Sequence, residues 1–254
     1  MESSMNVKGD SERQAALRNE MIKRSKRRRR NHYILKISNV IKPTTKLLDI
    51  GCGTAHIIQS LSTLHENATF IGLDVSTPML KIAKLNTTGS LNVMLIRGDG
   101  LKLPFSDCSF DIVITRLAEY SPLEAYRVLK SGGYFFEYGL GPAANREVVE
   151  FFRERIERES FFFPKNLKEW KQEVCEKIED AGFTVESVED FMEKEYYRSV
   201  EEFMNLIEMA PLVKSFDREK DRETVESLAR RYMCKRGIRI TWHYYILKAR
   251  KSQN

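Results

Sequence analysis

The chain has 254 residues, of which 42% are apolar; this is enough for a large buried core and excludes an intrinsically disordered protein. No apolar run approaches the length of a membrane span, and no N-terminal segment resembles a signal peptide, so we expect a soluble cytoplasmic protein without membrane contact. The four cysteines (Cys52, Cys108, Cys175 and Cys234) are far apart in sequence, which predicts neither a disulfide framework nor a metal site.

The formal net charge is +6, and the positive excess is concentrated near the N-terminus. Residues 1–31 are polar, lack periodicity and end in the run Lys23-Arg24-Ser25-Lys26-Arg27-Arg28-Arg29-Arg30. Such a block repels itself and buries little surface, so we expect a disordered tail or a frayed helix. A solvated tail, a contact with RNA or another polyanion, and a targeting signal all remain open. Because no aromatic residues are interleaved with the basic ones, sequence-specific recognition by the tail is not expected.

The next two predicted elements are a helix and a buried strand. Apolar residues recur at helical spacing over residues 33–41, and Pro43 prevents the helix from continuing. The run Leu47-Leu48-Asp49-Ile50-Gly51-Cys52-Gly53-Thr54-Ala55 then predicts a parallel strand, a glycine loop and a helix that begins near Ala55. Glycines at positions 51 and 53 let a ligand approach the main-chain N–H groups. A nucleotide-like ligand is therefore expected.

The acid at the end of this strand decides between classes of ligand. A dinucleotide fingerprint would need a third glycine where His56 stands, and its pyrophosphate would sit poorly beside Asp49. The sulfonium and ammonium groups of S-adenosylmethionine suit this carboxylate better. The segment resembles the acid-x-Gly-x-Gly-x-Gly motif of class I S-adenosylmethionine-dependent methyltransferases, of the ubiquinone and menaquinone C-methyltransferase type. The chain departs from that motif at Ala55.

Two further predicted strands lead to acids. Thr69-Phe70-Ile71-Gly72-Leu73-Asp74 ends in an acid about 20 positions beyond the glycine loop, and Val93-Met94-Leu95-Ile96 is followed by Gly98-Asp99-Gly100. Ligands of open α/β sheets bind outside the carboxyl ends of the strands. The three acids are therefore expected to line one crevice.

The resemblance extends over both of these segments and implies roles for individual residues. It implies S-adenosyl-L-methionine as the cofactor, with Asp74 on the ribose hydroxyls and Asp99 on the adenine amino group. It also implies that the helix over residues 33–41 closes over the methionine end, although a core tyrosine at position 33 and a core methionine at position 79 are alternatives. The implied cofactor contacts are Asp49, Gly51, Cys52, Gly53, Asp74, Val75, Met79, Asp99, Gly100, Leu101, Arg116 and Tyr33.

A fourth predicted strand, over residues 109–115, and a fifth, over residues 134–138, bring polar residues to the same mouth. Arg116, Glu119, Tyr120, Glu137 and Tyr138 are the candidates there, and Glu119, Tyr120 and Tyr138 are the predicted acceptor contacts. No catalytic signature stands out in the sequence. A methyltransferase does not require one, because aligning the acceptor with the methyl group alone can contribute about 7 to 11 kcal/mol.

Beyond Gly141 only the architecture is recognisable. Residues 183–188 and 238–246 alternate as strands and predict an antiparallel pair. Helices around residues 142–170 and 192–237 are expected to form a cap over the crevice, with Phe161-Phe162-Phe163-Pro164 as its most apolar part. The predicted α/β fold is a Rossmann-like, seven-stranded, mostly parallel sheet with an antiparallel last strand and helical cap insertions. Its predicted parts are a tail (1–31), a cofactor-binding core (32–141) and a cap with the final two strands (142–254).

These residues predict an S-adenosylmethionine-dependent methyltransferase. A small-molecule acceptor is favoured because the cap helices resemble a lid and no separate RNA-binding module is visible. Two alternatives remain: an RNA methyltransferase, acting on tRNA or rRNA, that docks through the basic tail, and a noncatalytic cofactor-binding protein. The acceptor atom and the oligomeric state are not predicted.

Overall fold

The computed structural model describes residues 11–24, 28–156, 166–209 and 212–252, without the side chains of residues 24–31. The predicted apolar segment Phe161-Phe162-Phe163-Pro164 lies outside these ranges, as do most side chains of the basic run.

A mixed sheet organises the described part of the chain. Its strands are β1 (Lys46–Ile50), β2 (Thr69–Asp74), β3 (Val93–Arg97), β4 (Phe110–Arg116), β5 (Leu129–Leu140), β6 (Phe183–Tyr197), β7 (Met233–Cys234) and β8 (Gly237–Lys251). The order is β3-β2-β1-β4-β5-β8-β6, and the two-residue β7 pairs with β8 beside this path. The sheet is mostly parallel with antiparallel C-terminal strands, which confirms the predicted Rossmann-like α/β class.

The central strands bring their carboxyl ends to one edge of the sheet. β1 pairs in parallel with β2 and β4, so that Asp49 lies opposite Gly72 on one side and Ile114 on the other. Asp74, the last residue of β2, lies opposite Arg97 of β3. β1, β2 and β4 read as nearly continuous apolar runs because parallel strands are covered on both faces.

Helices connect and flank these strands. They are α1 (Glu12–Arg24), α2 (Arg28–Ser38), α3 (His56–Leu64), α4 (Thr77–Asn86), α5 (Pro122–Val128), α6 (Arg146–Phe151), α7 (Leu167–Glu179), α8 (Val200–Met209) and α9 (Arg222–Tyr232), with a 3-10 turn over Arg153–Arg155. α4 shows why a helix begins where it does. The Ser76 hydroxyl accepts a hydrogen bond from the Met79 N–H, and Pro78 occupies the first turn. No helix in the described ranges is long and apolar enough to span a bilayer.

The chain forms two compact units. Unit 1 comprises Met1–Glu137, Asp180–Thr184 and Lys248–Asn254, and unit 2 comprises Tyr138–Glu179 and Val185–Leu247. Unit 1 thus includes the start of β6 and the end of β8. The predicted parts of the chain, with a boundary at residue 141, stay a prediction.

The N-terminal segment, for which a disordered tail or a frayed helix was predicted, contains a regular helix. Residues Glu12–Arg24 form α1, where Ala15 is fully buried and Glu12 pairs with Lys81 of α4 at 2.9 Å. The helix packs through a small residue and polar contacts, so its apolar signal is weak. This is why the composition of the segment suggested disorder.

A second difference concerns residues 192–237, which were predicted to be helical. β6 continues to Tyr197 before α8 begins. In unit 2, the rings of Trp242 and Tyr244 on β8 stack at 5.4 Å, and the Phe191 ring on β6 lies 6.0 Å from Tyr244. The second half of β6 thus carries an aromatic ring that packs against β8, its neighbour in the sheet.

Candidate functional site

The turn after β1 begins with a glycine that packing requires. Gly51 has φ +70°, and a Cβ added there would lie 2.1 Å from the Cβ of Ala118. Both the backbone conformation and the space therefore exclude a side chain. The N–H groups of Gly51 and Cys52 donate to the Leu73 carbonyl at 2.8 and 3.0 Å, which joins this turn to β2.

The space that a side chain would occupy is open at Gly53, whereas it is filled at Gly51. Gly53 has φ +54°, and no atom lies within 4 Å of a Cβ added there. A ligand can approach the backbone at this point without meeting a side chain. Ala55, where the resembling motif has its last glycine, also adopts a left-handed conformation, with φ +60° and ψ +25°, immediately before α3.

Asp74 has a role in the loop that the sequence did not suggest. Its Oδ2 accepts a hydrogen bond from Gly53 N–H at 2.7 Å, and its Oδ1 accepts one from Ser76 N–H at 2.8 Å. The acid at the end of β2 therefore holds the glycine loop after β1. An ionised carboxylate has further lone pairs with which to accept bonds from a ligand.

The loop is also held from α1 and α4 by residues that sequence reasoning missed. The Asn86 side-chain amide donates to the Thr54 carbonyl at 2.8 Å and to Asn19 Oδ1 at 3.0 Å. His56 Nε2 lies 3.0 Å from the same Asn19 oxygen. No motif marks an asparagine for this role, because the contact exists only once the helices have packed.

Asp49 is the buried acid of the site. It is 2% exposed, and its Oδ1 has no hydrogen-bond partner among the described residues. Burial raises the pKa of Asp49 to about 8; the negative charge of Asp74 adds to the rise and Arg116 opposes it. A buried carboxylate without a matching positive charge is costly, so this position favours a cationic ligand.

The third predicted acid lies at the surface. Asp99 is exposed, and its Oδ1 accepts a hydrogen bond from Leu101 N–H at 2.9 Å. The N–H of Leu101, itself a predicted cofactor contact, is thus already bonded to Asp99. A Cβ added at Gly100 would lie 2.6 Å from the Glu119 carbonyl oxygen and 2.9 Å from Ile50 Cγ2. This glycine brings the loops after β3 and β4 together beside the end of β1.

Other predicted cofactor contacts are buried in unit 1. Tyr33 and Met79 are fully buried, and Cys52 is buried. Burial, then the charges of Asp49 and Asp74, raises the pKa of the Cys52 thiol well above its usual range. The Tyr33 hydroxyl lies 3.0 Å from the Thr115 carbonyl and 3.2 Å from the Phe136 carbonyl, so it bridges β4 and β5. Tyr33 and Met79 are therefore packed in the core, and their cofactor contacts stay predictions, while Val75 is half-buried next to Asp74 in the chain.

The predicted acceptor contacts do not share one environment. Glu119 is exposed, whereas Tyr120 is buried and its hydroxyl donates to Glu137 Oε2 at 2.8 Å. Tyr138 belongs to unit 2, where its ring lies 5.2 Å from that of Tyr244. The geometry therefore joins Tyr120 with Glu137, a residue that the sequence placed at the mouth without a role.

Comparisons with known proteins match this part of the chain to methyltransferases. The methyltransferase domain model matches residues 47–133. Demethylmenaquinone methyltransferase of Staphylococcus carnosus is 38% identical over 101 residues, 37% of this chain and 42% of that protein. The chain thus spans less than half the length of the first curated relatives it matches. Demethylmenaquinone methyltransferase of Listeria welshimeri is 32% identical over 170 residues, 57% of this chain and 72% of that protein.

The Listeria match decides the family. The chain belongs to the class I S-adenosylmethionine-dependent methyltransferases, of the menaquinone C-methyltransferase type. The family-model match runs from residue 47 to residue 133, so it includes Asp49, Asp74 and Asp99.

Solved structures extend the likeness of this methyltransferase fold to most of the chain. The YcgJ protein of Bacillus subtilis aligns with a TM-score of 0.61 at 21% identity and covers 88% of this chain and 100% of its own. The [4+2]-cyclase SpnF aligns with a TM-score of 0.55 at 19% identity over 86% of this chain and 82% of its own. At such identities the likeness shows the fold alone, and SpnF shows that the fold also carries other chemistry.

Proposed function

We propose that this chain transfers a methyl group from S-adenosyl-L-methionine to a small aromatic acceptor. The observation that carries the proposal is Asp49, a buried carboxylate with an orphaned oxygen at the end of β1, beside a glycine loop that is open at Gly53. A ligand with an ammonium and a sulfonium supplies the positive charge that this acid lacks.

The residues at the strand ends fit the three parts of this cofactor. Asp49 would accept from the ammonium, and the backbone at Gly53, where no atom lies within 4 Å of an added Cβ, would lie against the methionine portion. Asp74, fixed by two backbone N–H groups, would accept from the ribose hydroxyls. Exposed Asp99 and the backbone of Gly100 and Leu101 would meet the adenine. These assignments follow from charge and from position at the sheet edge.

The acceptor class follows from the relatives and from elementary chemistry. The matched relatives are named for demethylmenaquinone, and we propose a naphthoquinone-type acceptor in its reduced, dihydroxy form. Attack on a methyl sulfonium needs an electron-rich carbon, which a quinol has and a quinone lacks. The cofactor, when bound, supplies the activated methyl group, and the protein has to align the acceptor and exclude water.

The protonation of Asp49 makes cofactor binding depend on pH. Because its pKa is raised to about 8, the carboxyl is mostly protonated at neutral pH until a cation lies beside it. A bound ammonium favours the ionised form, so binding releases a proton and the affinity should rise with pH. The rise is expected below about pH 7.5, since an α-amino group itself begins to lose its proton near pH 8.

Calorimetry with S-adenosylmethionine and its demethylated product tests the site. We expect Asp49→Asn to weaken both affinities by about 10- to 100-fold, the value of a charged hydrogen bond, and to abolish the proton release. Asp111→Asn is the matched control, because Asp111 lies at the opposite end of β4 and contacts Lys46 N–H and Lys130. Unchanged affinity in Asp49→Asn would reject the assigned site.

Turnover is a separate question from binding. The chain, given methyl-labelled cofactor and a soluble alkyl-substituted 1,4-dihydroxynaphthalene kept reduced, should yield the labelled, C-methylated dihydroxynaphthalene. Cofactor binding without product from this acceptor or from a cell extract would instead support a noncatalytic cofactor-binding protein.

A further inference from the structure

Glu137 is a charged side chain in an otherwise apolar part of β5. Phe135 and Phe136 precede it and are fully buried, and Glu137 is itself 8% exposed. The strand interior offers no structural reason for an acid, and burying one is costly unless it is bonded or used. A local departure from the apolar pattern of a buried strand is where function is expected.

A hydrogen bond from Tyr120 holds this carboxylate. The Tyr120 hydroxyl donates to Glu137 Oε2 at 2.8 Å, and the Tyr120 ring packs 5.6 Å from that of Phe135. Tyr120 follows Glu119, whose carbonyl limits Gly100 to a glycine. The carboxylate is therefore tied to the loop after β4, which also borders the loop after β3.

Further ionisable groups place Glu137 beside the proposed cofactor site. The pKa of Tyr33 is raised well above its usual range by burial, then by the charge of Asp49, is lowered by Arg116, and is raised again by Glu137. All three charges thus act on one hydroxyl, which lies between β4 and β5. Tyr120 donates to Glu137 directly, and the Tyr33 hydroxyl of α2 donates to the carbonyl of Phe136, the residue before Glu137 on β5.

We propose that Glu137 is the base that removes a hydroxyl proton from the methyl acceptor, and that Tyr120 is the positioning residue that holds it. This inference rests on the proposed function and narrows its substrate class to phenols and quinols that are neutral in solution. It names a residue role that the sequence left open among Arg116, Glu119, Tyr120, Glu137 and Tyr138.

The step balances without an added reactant. The acceptor O–H bond breaks and its proton passes to a Glu137 carboxylate oxygen. The electron pair left on the acceptor is delocalised onto the ring, and a ring carbon forms the new bond to the methyl carbon while the pair of the broken C–S bond stays on sulfur. The ring carbon then loses its own proton to water as aromaticity is restored, and Glu137 returns its proton to the acceptor oxygen, so that the product leaves as a neutral quinol.

The neighbouring acids are less suited to this step. Glu119 is exposed, so its carboxylate is solvated and free to move. Asp49 is committed to the proposed ammonium contact. Of these three acids, Glu137 is both buried and held by a hydroxyl without a role at the ammonium, which is the arrangement expected of an oriented base.

The test compares Glu137→Gln and Tyr120→Phe with the unmutated chain on the soluble dihydroxynaphthalene. We expect Glu137→Gln to lower kcat by about 10² to 10⁴-fold with little change in KM, and Tyr120→Phe to lower it by about 10-fold, the value of one hydrogen bond. In Glu137→Gln the remaining rate should rise about tenfold per pH unit, because only the already ionised acceptor reacts. Glu137→Asp should restore part of the rate.

A binding measurement gives a readout apart from turnover. With S-adenosylhomocysteine bound, acceptor affinity of the unmutated chain should fall as the acceptor ionises, because two negative charges then meet. Glu137→Gln should lose this fall. Tyr232 and Glu150 form a surface pair of the same chemistry, in which the tyrosine hydroxyl donates to Glu150 Oε2, and Glu150→Gln and Tyr232→Phe serve as matched controls with unchanged rates and pH profiles.

The outcomes separate this inference from the proposed function. A Glu137→Gln chain that binds cofactor normally and keeps the kcat and pH profile of the unmutated chain overturns the role of Glu137 while leaving a methyltransferase. A parallel loss of cofactor affinity in Glu137→Gln also overturns it, because the acid would then belong to the cofactor site. An unmutated chain that binds no cofactor overturns the proposed function and this inference together.

Discussion

Ala55 shows, at the scale of one residue, a conformation that its side chain disfavours. A left-handed backbone costs an L-residue about 1 to 2 kcal/mol, and Ala55 adopts φ +60° at the junction of the glycine loop and α3. The loop is kept there by the bonds of its neighbours, since Thr54 accepts from Asn86 and Gly53 donates to Asp74. The strain sits beside the site at which we place the cofactor.

Replacing Ala55 with glycine should therefore stabilise the chain. Glycine removes the left-handed penalty but gives the unfolded chain more freedom, which costs about 0.5 to 1 kcal/mol. We expect Ala55→Gly to raise the free energy of unfolding by up to about 1 kcal/mol, measured as a higher midpoint in urea. Ala83→Gly is the control: this buried α4 residue has a helical backbone, so the change should destabilise. A loss of stability in Ala55→Gly would show that the left-handed turn carries no strain.

At the scale of elements, the loop after β1 depends on helices on its outer side. α1 and α4 meet it through Asn19 and Asn86, and β2 meets it through Asp74. The glycine loop is thus preorganised by contacts that do not face the proposed ligand, and loosening them should raise the cost of ordering the loop on binding.

Asn86→Ala should lower both stability and cofactor affinity. It removes two hydrogen bonds, and we expect a loss of about 1 to 2 kcal/mol in unfolding free energy together with a severalfold weaker Kd for S-adenosylmethionine by calorimetry. Asn92→Ala is matched to it, because the Asn92 amide donates to the Ser62, His65 and Ala68 carbonyls at the far end of α3. That variant should lose stability and keep the affinity. Equal affinities in the two variants would contradict the role given to Asn86.

At the scale of the whole molecule, two buried acids act on pH stability in opposite directions. The folded pKa of Asp49 is raised to about 8 from an ordinary value near 3.8, so the unfolded chain binds fewer protons than the folded one between these values. Stability from this group falls as the pH rises across that window. Asp221 has a lowered pKa because Arg155 donates to it, with backbone N–H of Asp217 adding to the effect. Its contribution is present above about pH 4 and is lost as the pH falls further.

Two asparagine variants should separate these effects. Asp49→Asn removes the cost of ionising a buried acid, so it should stabilise the chain, and the gain should grow as the pH is raised from about 5.5 to about 8. Asp221→Asn should destabilise the chain at neutral pH, with the loss shrinking toward about pH 3. Urea unfolding without ligand at several pH values measures both. A gain from Asp49→Asn that is constant with pH would contradict a raised pKa at position 49.

The sequence alone predicted the sheet and the edge of the sheet at which the acids lie, because both depend on local patterns. Buried parallel strands require continuous apolar runs, and an acid or glycine at the end of such a run is visible as a letter. The α/β class and the approximate strand positions followed, and so did the family. The extent of β6 did not, since its second half pairs with β8 through residues far away in the chain.

Only the tertiary structure decided how the individual site residues are used. Asp74 as the anchor of Gly53, Asn86 as the support of Thr54, Tyr33 as a bridge between strands, and Glu137 as the partner of Tyr120 each require two segments to meet. A sequence shows the type of each residue and its order. The distance between two side chains, and therefore the pKa of one and the hydrogen bond of the other, exists only after the chain has packed.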